Sequence, residues 1–591
     1  MFTTRPEIAG TFGVVASTHW LASQVGMAVL ERGGNAFDAG VAAGFMLHVA
    51  EPHLNGPGGD GPIIIHDART GRQHVICGQG VSPASATLEK FSSLGVDMIP
   101  ATGLLPAMVP GAFDAWCLML RDWGTWEFAD VVEFALGYAR NGCHVVERIS
   151  GTIESVRLLF ESEWRSSAAV FMPDGNVPRP GSLLRRPALA DTYERLSREA
   201  VGITREARID AVRRVWYQGF VAEAVDKYFR GNEVLDVTGR RHRGLLEGSD
   251  FARWSATVED PVTYDYHGHT VLKCGAWSQG PVFLQMLALL RDTDIGAMDP
   301  VGADFVHTVV EAAKLAFADR EAYYGDPNFV VVPLSELLSE DYNAARRKLI
   351  GKTASMNLRP GVVSGFSPIV DHHAARRAMA PHDSGAGEPT VAQLGSFGGD
   401  TCHVDVIDRW GNMVSATPSG GWLQSSPVIP ELGFCMGTRG QMFWLNPGLP
   451  SSLEPRKRPR TTLSPSMALR DGKPWMSFGT PGGEQQDQWS PIMFLRMVHH
   501  GMNIQEAIDA PSFHTEHWPS SFWPRPARPG RVVIEGRYDD AVLNDLLAAG
   551  HLAEKGGEWS EGRLSGACIG PDGQLFAGAN PRGMQGYAVG R

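Results

Sequence analysis

The stretch GGDTCHVDVID, residues 398–408, places three side chains capable of chemistry next to one another: Thr401, Cys402 and His403. Cys402 and His403 resemble a nucleophile beside its base. Side chains alternate between the two faces of a strand, so Cys402 would share an apolar face with the next two valines, and Thr401 would share the opposite face with His403. Cys402 is therefore predicted to pack in the core as a small apolar side chain.

Hairpins and helices surround this stretch in blocks. Alternating β-branched runs joined by turn residues predict hairpins at 61–78, 402–417 and 466–479. Apolar periodicity with Gly or Pro at the end predicts helices at 21–34, 35–52 and 304–324. Such blocks favour an α+β fold in which antiparallel sheet is covered by layers of helices. Residues 355–398 lack periodicity and are rich in Pro, Gly, Ser and His, which is typical of an exposed loop or linker.

Composition and net charge restrict the binding partners and the cellular location that we expect for this protein. Of the 591 residues, 43% are hydrophobic and 20% are charged, as in ordinary globular proteins, and the net charge is −12. A negative chain is a poor match for nucleic acid or an anionic membrane surface. The seven cysteines are scattered and odd in number, which favours reduced, buried thiols in a cytoplasmic protein. We find no signal-peptide pattern and no apolar run long enough to span a membrane, so we expect a cytoplasmic location.

Several short patterns suggest cofactor or metal sites, but their context argues against that reading. GPGGDG at 56–61 matches a dinucleotide fingerprint, yet a helix precedes it and a strand follows, which favours a tight structural turn. GKT at 351–353 lacks the leading glycine of a phosphate-binding loop. His48, His53 and His66 are close in sequence without metal-ligand spacing. We therefore expect no cofactor and no metal.

Six longer motifs carry a resemblance that covers nearly the whole chain. They are ERGGNAFDAGVAAGFMLHVAEPHLNGPGGDG (31–61), PGAFDAW (110–116), EAAKLAFADREAYYGDP (311–327), KRPRTTLSPSMALRDGKP (457–474), FGTPGGEQQ (478–486) and NPRGMQGYAVG (580–590). Together and in this order they resemble the γ-glutamyltransferase family of N-terminal-nucleophile hydrolases. The resemblance implies a four-layer αββα sandwich, made as one precursor that cuts itself before a threonine.

The resemblance implies that Thr401 is both the first residue after the cut and the nucleophile. Residues 1–400 would then form a large subunit, with 355–400 a flexible linker, and residues 401–591 a small subunit. The two would form one globular αβ unit, and pairing of such units stays open. The Thr401 hydroxyl would attack the Asp400 carbonyl, with Gly398 and Gly399 allowing the tight backbone approach. Afterwards its free α-amine, with a pKa near 8, would serve as base. No histidine is then needed, and His403 keeps no role beyond that of a polar strand residue.

Further family roles transfer to matching positions. Gly482 and Gly483 resemble the paired glycines whose amides form an oxyanion hole at the start of a helix. Ser419 matches a second hydroxyl that supports the nucleophile, and Thr417 keeps a threonine two residues earlier. Thr461 and Thr462 replace a serine pair that contacts the substrate carboxylate.

The γ-glutamyl clamp departs from the family pattern. Leu88 stands where the family has the carboxylate-binding arginine, and the amine-binding side has Gly421, Arg439 and a residue near Met442. A pocket with no anion near the α-carbon would not hold an ammonium group. The sequence therefore predicts an amide whose acyl group has a carboxylate but no α-amine, as in oxamate or a dicarboxylic monoamide, with water or an amine as acceptor. Arg439 is a candidate clamp or, equally, a surface residue.

Three alternatives remain open. A conventional glutathione hydrolase could use Arg456, Arg458 or Arg460 to hold the carboxylate. An unprocessed relative could act as a binding or scaffold protein. A nucleotide-dependent oxidoreductase could use GPGGDG.

Overall fold

The computed structural model describes residues 2–370 and 401–591, which contain two large antiparallel sheets. In spatial order, sheet A comprises Ile8–Gly10, Leu575–Ala579, Ser565–Ile569, Lys473–Gly479, Ser466–Arg470, His269–Lys273 and Val262–Tyr266. Sheet B comprises Tyr587–Gly590, Gly13–Ser17, Val404–Asp408, Met413–Ala416, Ile63–Asp67, Arg72–Cys77 and Thr257–Glu259. Each sheet combines strands from both sides of position 400. The two parts of the chain therefore share both large sheets.

The two sheets stack face to face and enclose an apolar core. From sheet B this core contains Val14, Ile64 and Ile407, and from sheet A it contains Leu272 and Met467, among others. The neighbouring residues in each strand point outward, as the alternation of strand side chains requires. Because both faces of both sheets are covered, runs such as IIIHD are buried at every position.

Helices cover the outer face of each sheet. Those around the core outside sheet B are Trp20–Glu31, Ala36–Ala50, Ala112–Trp123, Phe128–Asn141, Pro187–Glu199, Arg205–Gln218, Phe220–Gly231 and Gly248–Ala252. Those outside sheet A are Pro281–Leu290, Ala303–Tyr323, Leu334–Leu337, Glu340–Arg347, Gln486–His500, Ile504–Asp509 and Asp540–Ala548. The order is helix, sheet, sheet, helix, so the predicted α+β class and four-layer αββα sandwich are confirmed.

Smaller elements complete the molecule. The helices Glu147–Ser162 and Arg165–Phe171 pack around a separate apolar cluster, and Leu88–Ser93 packs around another. A three-stranded sheet lies beside the helices of sheet A, with strands Phe513–Thr515, Arg531–Ile534 and Leu552–Lys555. Two-stranded pairs are formed by Cys143–His144 with Leu183–Leu184 and by Val234–Leu235 with Arg241–His242.

The predicted hairpins and helices are present with small changes at their ends. The three hairpins pair antiparallel as Ile63–Asp67 with Arg72–Cys77, Val404–Asp408 with Met413–Ala416, and Ser466–Arg470 with Lys473–Gly479. Residues 355–370 contain no helix or strand, and the rest of the expected linker lies outside the described residues. All seven cysteines are free and buried, as expected. No helix in the described part of the chain is long and apolar enough to cross a membrane.

The helix Ala36–Ala50 lies in the centre of the layer outside sheet B. Its N-terminus is held by a capping box, in which the Asn35 side chain accepts from the Asp38 amide and Asp38 accepts from the Asn35 amide. Every residue of the helix is buried. A helix that is apolar on all sides has no solvent face, as its sequence predicted.

The burial of His48 in this helix predicts that the stability of the protein depends on pH. Burial, and secondarily Arg186, lowers the pKa of His48 to about 3, and its Nδ1 lies 3.1 Å from the Tyr193 hydroxyl. The unfolded chain takes up this proton near pH 6.5 and the folded one does not, so acidification favours unfolding. We expect the free energy of unfolding of the wild type to fall by about 2 kcal/mol more than that of His48→Gln between pH 7.5 and 5. Urea titrations at both pH values measure this difference, and parallel curves would contradict it.

Candidate active site

Thr401 and Ser419 lie side by side at the end of sheet B. The two residues form an isolated antiparallel bridge just before the strand Val404–Asp408, and their hydroxyl oxygens are 3.0 Å apart. The Cys402 amide donates to the Pro418 carbonyl at 3.0 Å, which fixes the register of the pair. Both side chains are buried. The structure thus brings together the two hydroxyl residues that the sequence selected.

Cys402 points away from this hydroxyl pair, into the core outside sheet B. The predicted face is confirmed, but the thiol is not purely apolar in its contacts. Its Sγ donates to Glu51 Oε2 at 3.0 Å and accepts from Asn55 Nδ2 at 3.1 Å. Burial and the adjacent Glu51 hold the pKa of Cys402 well above its usual value. A thiol held in the protonated form is a poor nucleophile.

His403 belongs to a buried hydrogen-bonded chain that the sequence reading missed. Its Nε2 donates to Asp405 Oδ2 at 3.0 Å, and its Nδ1 lies 2.8 Å from the Thr417 hydroxyl. Ser565 of sheet A also donates to Asp405, at 3.3 Å. Extending the hairpin register from the pair Val404 and Ala416 by one residue would have placed His403 opposite Thr417.

The segment GPGGDG wraps around the hydroxyl pair at backbone level. Asp60 and Ser419 exchange two backbone hydrogen bonds of 2.7 and 2.8 Å. A Cβ on Gly59 would lie 2.1 Å from the Ser419 carbonyl oxygen, and one on Gly58 would lie 2.2 Å from the Cys435 carbonyl oxygen. The glycines are therefore explained by close approach of two chain segments. The preceding helix and following strand agree with the structural interpretation of this motif.

Two substitutions within GPGGDG test whether its glycines are required for close packing or only for a flexible loop. We expect Gly59→Ala to abolish chain cleavage and activity, because the methyl group must displace the Ser419 carbonyl. Gly61→Ala is the matched control, since its Cβ would make an ordinary contact at 3.5 Å. Denaturing gels of both purified variants measure the cleavage. Normal cleavage of Gly59→Ala would contradict the close approach.

Arg439 lies in the interior beside Asp60. Its Nε donates to Asp60 Oδ2 at 3.1 Å, and the side chain is 1% exposed. Burial raises the pKa of Asp60 to about 6 and outweighs the opposite effect of the Arg439 guanidinium. The alternative of a surface arginine is therefore wrong. Two other positions were aligned with the amine-binding residues of the family. Gly421, two residues after Ser419, has a left-handed backbone conformation, and Met442 is buried in the short helix Arg439–Met442.

The Gly482–Gly483 turn connects sheet A to a helix. The strand Lys473–Gly479 ends against His403, whose ring would lie 2.4 Å from a Cβ on Gly479. Three residues later Gly482 has a φ of 110°, which requires glycine. The helix Gln486–His500 then begins, and the Gln486 amide donates to the Gly482 carbonyl at 3.0 Å. The predicted position of the glycine pair before a helix is confirmed.

The segment around Thr461 and Thr462 adjoins this turn through Gln279. The Gln279 amide donates to the Thr461 carbonyl at 2.9 Å, and its side chain donates to the Gly483 carbonyl at 3.2 Å. The Thr461 hydroxyl accepts from the Leu463 amide at 3.3 Å. Thr462 Oγ1 is buried without a hydrogen-bond partner among the described residues. Thr462 is thus the member of the pair whose hydroxyl makes no hydrogen bond to the described residues.

Two of the three arginines proposed as an alternative clamp, Arg458 and Arg460, are already paired with carboxylates, and the third, Arg456, is exposed. Arg458 donates to Asp326 at 2.8 Å and to Glu259 at 2.7 Å. Arg460 donates to Glu321 at 2.7 Å. These contacts give both cations structural roles within the fold. Asp400, the predicted site of cleavage, lies outside the described residues.

Four stacked layers, with a buried hydroxyl pair where a central strand begins, define the class of N-terminal-nucleophile hydrolases. The model of the gamma-glutamyltranspeptidase family matches residues 22–590, and the chain belongs to this family.

Two curated relatives and one solved structure illustrate the match. The glutathione hydrolase-like YwrD proenzyme of Bacillus subtilis (strain 168) is 31% identical, with 99% of each chain covered. The oxamate amidohydrolase proenzyme of Klebsiella pneumoniae is 29% identical, with 97% of each chain covered. A threonine-to-alanine variant of LmbA2991 is 55% identical with a TM-score of 0.95, and 100% of each chain is covered. The protein is accordingly a proenzyme hydrolase of the amidohydrolase and acylase kind.

Proposed function

We propose that Thr401 is the nucleophile of a self-processing amidohydrolase and that it acts as the first residue of the chain 401–591. The hydroxyl pair of Thr401 and Ser419, 3.0 Å apart and buried, is the observation that carries the proposal. Ser419 can accept or donate a hydrogen bond, so it can orient the Thr401 hydroxyl in either protonation state. Attack on the Asp400 carbonyl would transfer the preceding chain to the Thr401 oxygen as an ester, and water would release it.

The new α-amine of Thr401 then serves as the base for substrate cleavage. An α-amine has a pKa near 8, so part of it is neutral and able to take the proton of its own hydroxyl near pH 7. The Thr401 oxygen attacks the amide carbon, the amine leaves with the transferred proton, and an acyl ester remains. Water or an acceptor amine resolves that ester. The amides of Gly482 and Gly483 would stabilise the oxyanion of each tetrahedral intermediate.

The fold explains how the cleaved pieces would stay together. Both sheets contain strands from the chain before and after position 400. The strand Val404–Asp408, for example, is hydrogen-bonded on one side to Gly13–Ser17. Separation of residues 1–400 from 401–591 would break both sheets, so we infer a stable αβ unit.

We propose as substrate an amide whose acyl group has a carboxylate and lacks an α-amine. Leu88 packs in an apolar cluster with Phe91 and Phe443, where the family arginine is expected. The name of the Klebsiella relative, an oxamate amidohydrolase, is consistent with such an acyl group. The conventional glutathione hydrolase remains the competing function, but the carboxylate partners of Arg458 and Arg460 disfavour its rebuilt clamp.

A substrate panel distinguishes the two functions. We expect the cleaved enzyme to release ammonia from oxamate or glutaramate with a kcat/KM at least about 10-fold higher than that for glutamate release from glutathione. The described carboxylates beside the proposed site, Asp60 and Glu484, are already bound to arginines and leave an ammonium group without a partner. Coupled assays for ammonia and glutamate measure both rates. Efficient glutathione cleavage, together with no activity on the two monoamides, would establish the conventional function instead.

A further inference from the structure

A buried arginine that the sequence did not select lies between the two sides of the site. Arg525 is 1% exposed, and its guanidinium stacks on the Trp444 ring at 3.9 Å. Its Nη2 donates to the backbone carbonyls of Gln441 and, at 2.7 Å, Phe443. These carbonyls belong to the segment that starts with Arg439.

The chain just before Arg525 contacts the glycine turn. A Cβ on Gly483 would lie 3.0 Å from the Phe522 ring, and the Ser521 amide donates to Glu484 Oε1 at 2.6 Å. The Trp523 amide donates to Gln441 Oε1 at 3.2 Å. The segment 521–525 therefore connects the proposed oxyanion turn to the Arg439 segment.

Arg525 differs from the other arginines around the site in its electrostatic partners. Arg439, Arg458 and Arg460 each form an ion pair with a buried carboxylate. Within residues 2–370 and 401–591, Arg525 forms no ion pair, and its Nε and Nη1 have no hydrogen-bond partner. Two donors of a buried cation are thus unsatisfied, at a cost that a bound anion would offset.

The electrostatic surroundings favour an anion at this position. Burial, followed by repulsion from Arg460, lowers the pKa of Arg525 to about 9, and the opposite effects of Glu321 and Glu484 compensate only in part. Both of these carboxylates are bound to Arg320. A carboxylate of a ligand would be the direct counter-charge of Arg525.

Arg525 also lies beside the region where the family arginine is lost. The Leu88 side chain packs in the same apolar cluster as Phe443, and the Phe443 carbonyl accepts from Arg525. The Arg525 guanidinium therefore lies beside the cluster that contains Leu88, although residue 525 belongs to the part of the chain after position 400.

We propose that Arg525 binds the carboxylate of the substrate's acyl group and replaces the arginine that is missing at Leu88. This inference rests on the proposed amidohydrolase function, because it assigns the acyl pocket of that same site. A carboxylate held by Arg525 selects anionic acyl groups over neutral ones of the same shape.

Paired substrates test this assignment. Glutaramate has a free carboxylate, and glutaramide has a neutral carboxamide in its place. We expect Arg525→Met to lower kcat/KM for glutaramate by about 100-fold and to change that for glutaramide by less than about 3-fold. Arg525→Lys should recover part of the loss, since it restores the charge but not the planar donor geometry. Equal losses on both substrates would mean that Arg525 only supports the fold.

Arg496→Met is the matched control for loss of a buried arginine. Arg496 is 1% exposed and donates to the carbonyls of Pro300 and Pro511 in the helical layer outside sheet A. Its replacement should lower stability and leave the ratio of the two kcat/KM values unchanged. A changed ratio in this variant would remove the specific assignment to Arg525.

Binding of glutarate, measured by calorimetry on the cleaved enzymes, is independent of turnover. We expect Arg525→Met to bind glutarate at least about 30-fold more weakly than the wild type and Arg496→Met to bind it normally. Loss of binding in Arg525→Met, with no hydrolysis of any amide by the wild type, would refute the proposed function and keep the anion site. Amide hydrolysis with equal glutarate binding in wild type and Arg525→Met would refute the anion site alone.

Discussion

Thr401→Ala is expected to yield a single uncleaved chain with no amidohydrolase activity. The Thr401 hydroxyl is hydrogen-bonded to Ser419 and is the proposed attacking group for both self-cleavage and substrate cleavage. Removing a nucleophile lowers activity by at least about 1,000-fold in enzymes that form an acyl intermediate. A denaturing gel measures the first reaction by the presence or absence of the pieces 1–400 and 401–591. Ammonia release from the monoamides measures the second.

Two conservative variants make this result specific. Thr401→Ser retains a hydroxyl and an α-amine, so it should cleave itself, more slowly, and keep measurable activity. Cys402→Ser retains a hydrogen-bonding group toward Glu51 and should be cleaved like the wild type. If Thr401→Ala is still cut at the same position, or if Cys402→Ser is inactive while folded, Thr401 is not the nucleophile.

Lys273→Met is expected to destabilise the fold by about 3–5 kcal/mol, because it leaves a buried carboxylate without its counter-charge. Lys273 Nζ lies 3.0 Å from Asp487 Oδ1, and neither side chain is exposed. Lys273 also donates to the Ser464 carbonyl and to Ser466 Oγ, at 3.0 and 2.7 Å. Asp487 is in the first turn of the helix after the glycine turn, so we expect lower activity as well. Urea denaturation at pH 7.5 measures the loss of stability.

The double variant Lys273→Met/Asp487→Leu separates the ion pair from general packing. In the single variant the Asp487 carboxylate is left unpaired in an apolar environment. The double variant replaces both charged side chains by apolar ones and so has no unpaired charge. We expect it to recover at least about half of the stability lost in Lys273→Met. A double variant that is less stable than either single variant would show that the polar contacts to Ser464 and Ser466, and not the unpaired charge, dominate.

The hairpins and the layered fold could be predicted from local patterns. Strand alternation placed Cys402 and Val404 on one face and Thr401 on the other, because a side-chain period of two residues is a property of the backbone. Burial on both faces of each sheet also explains why Ile63–Asp67 has no polar face, although a short apolar run alone does not distinguish a buried strand from a buried helix.

The candidate site was predicted only in part. Thr401, Ser419 and the Gly482–Gly483 pair were selected through the family motifs, and the structure brings the first two into contact. His403 was assigned no role because the α-amine of Thr401 could serve as base, and the strand pattern assigns a face but not a partner. Its bond to Thr417 depends on the register of the hairpin, and its environment depends on stacking against Gly479 of the other sheet.

The sequence by itself determined the alternation of the strand after Thr401, the hairpins, the helix that is buried on all sides and the family motifs. These features depend on residues within one or two elements. Only the tertiary structure decided which buried charged side chains have a partner of opposite charge and which do not. Asp60 and Arg439 are 379 residues apart in sequence, and Arg525 meets the Gln441 carbonyl across 84 residues. Such contacts depend on how sheets and loops pack, because the energy of a buried charge is set by its neighbours in space.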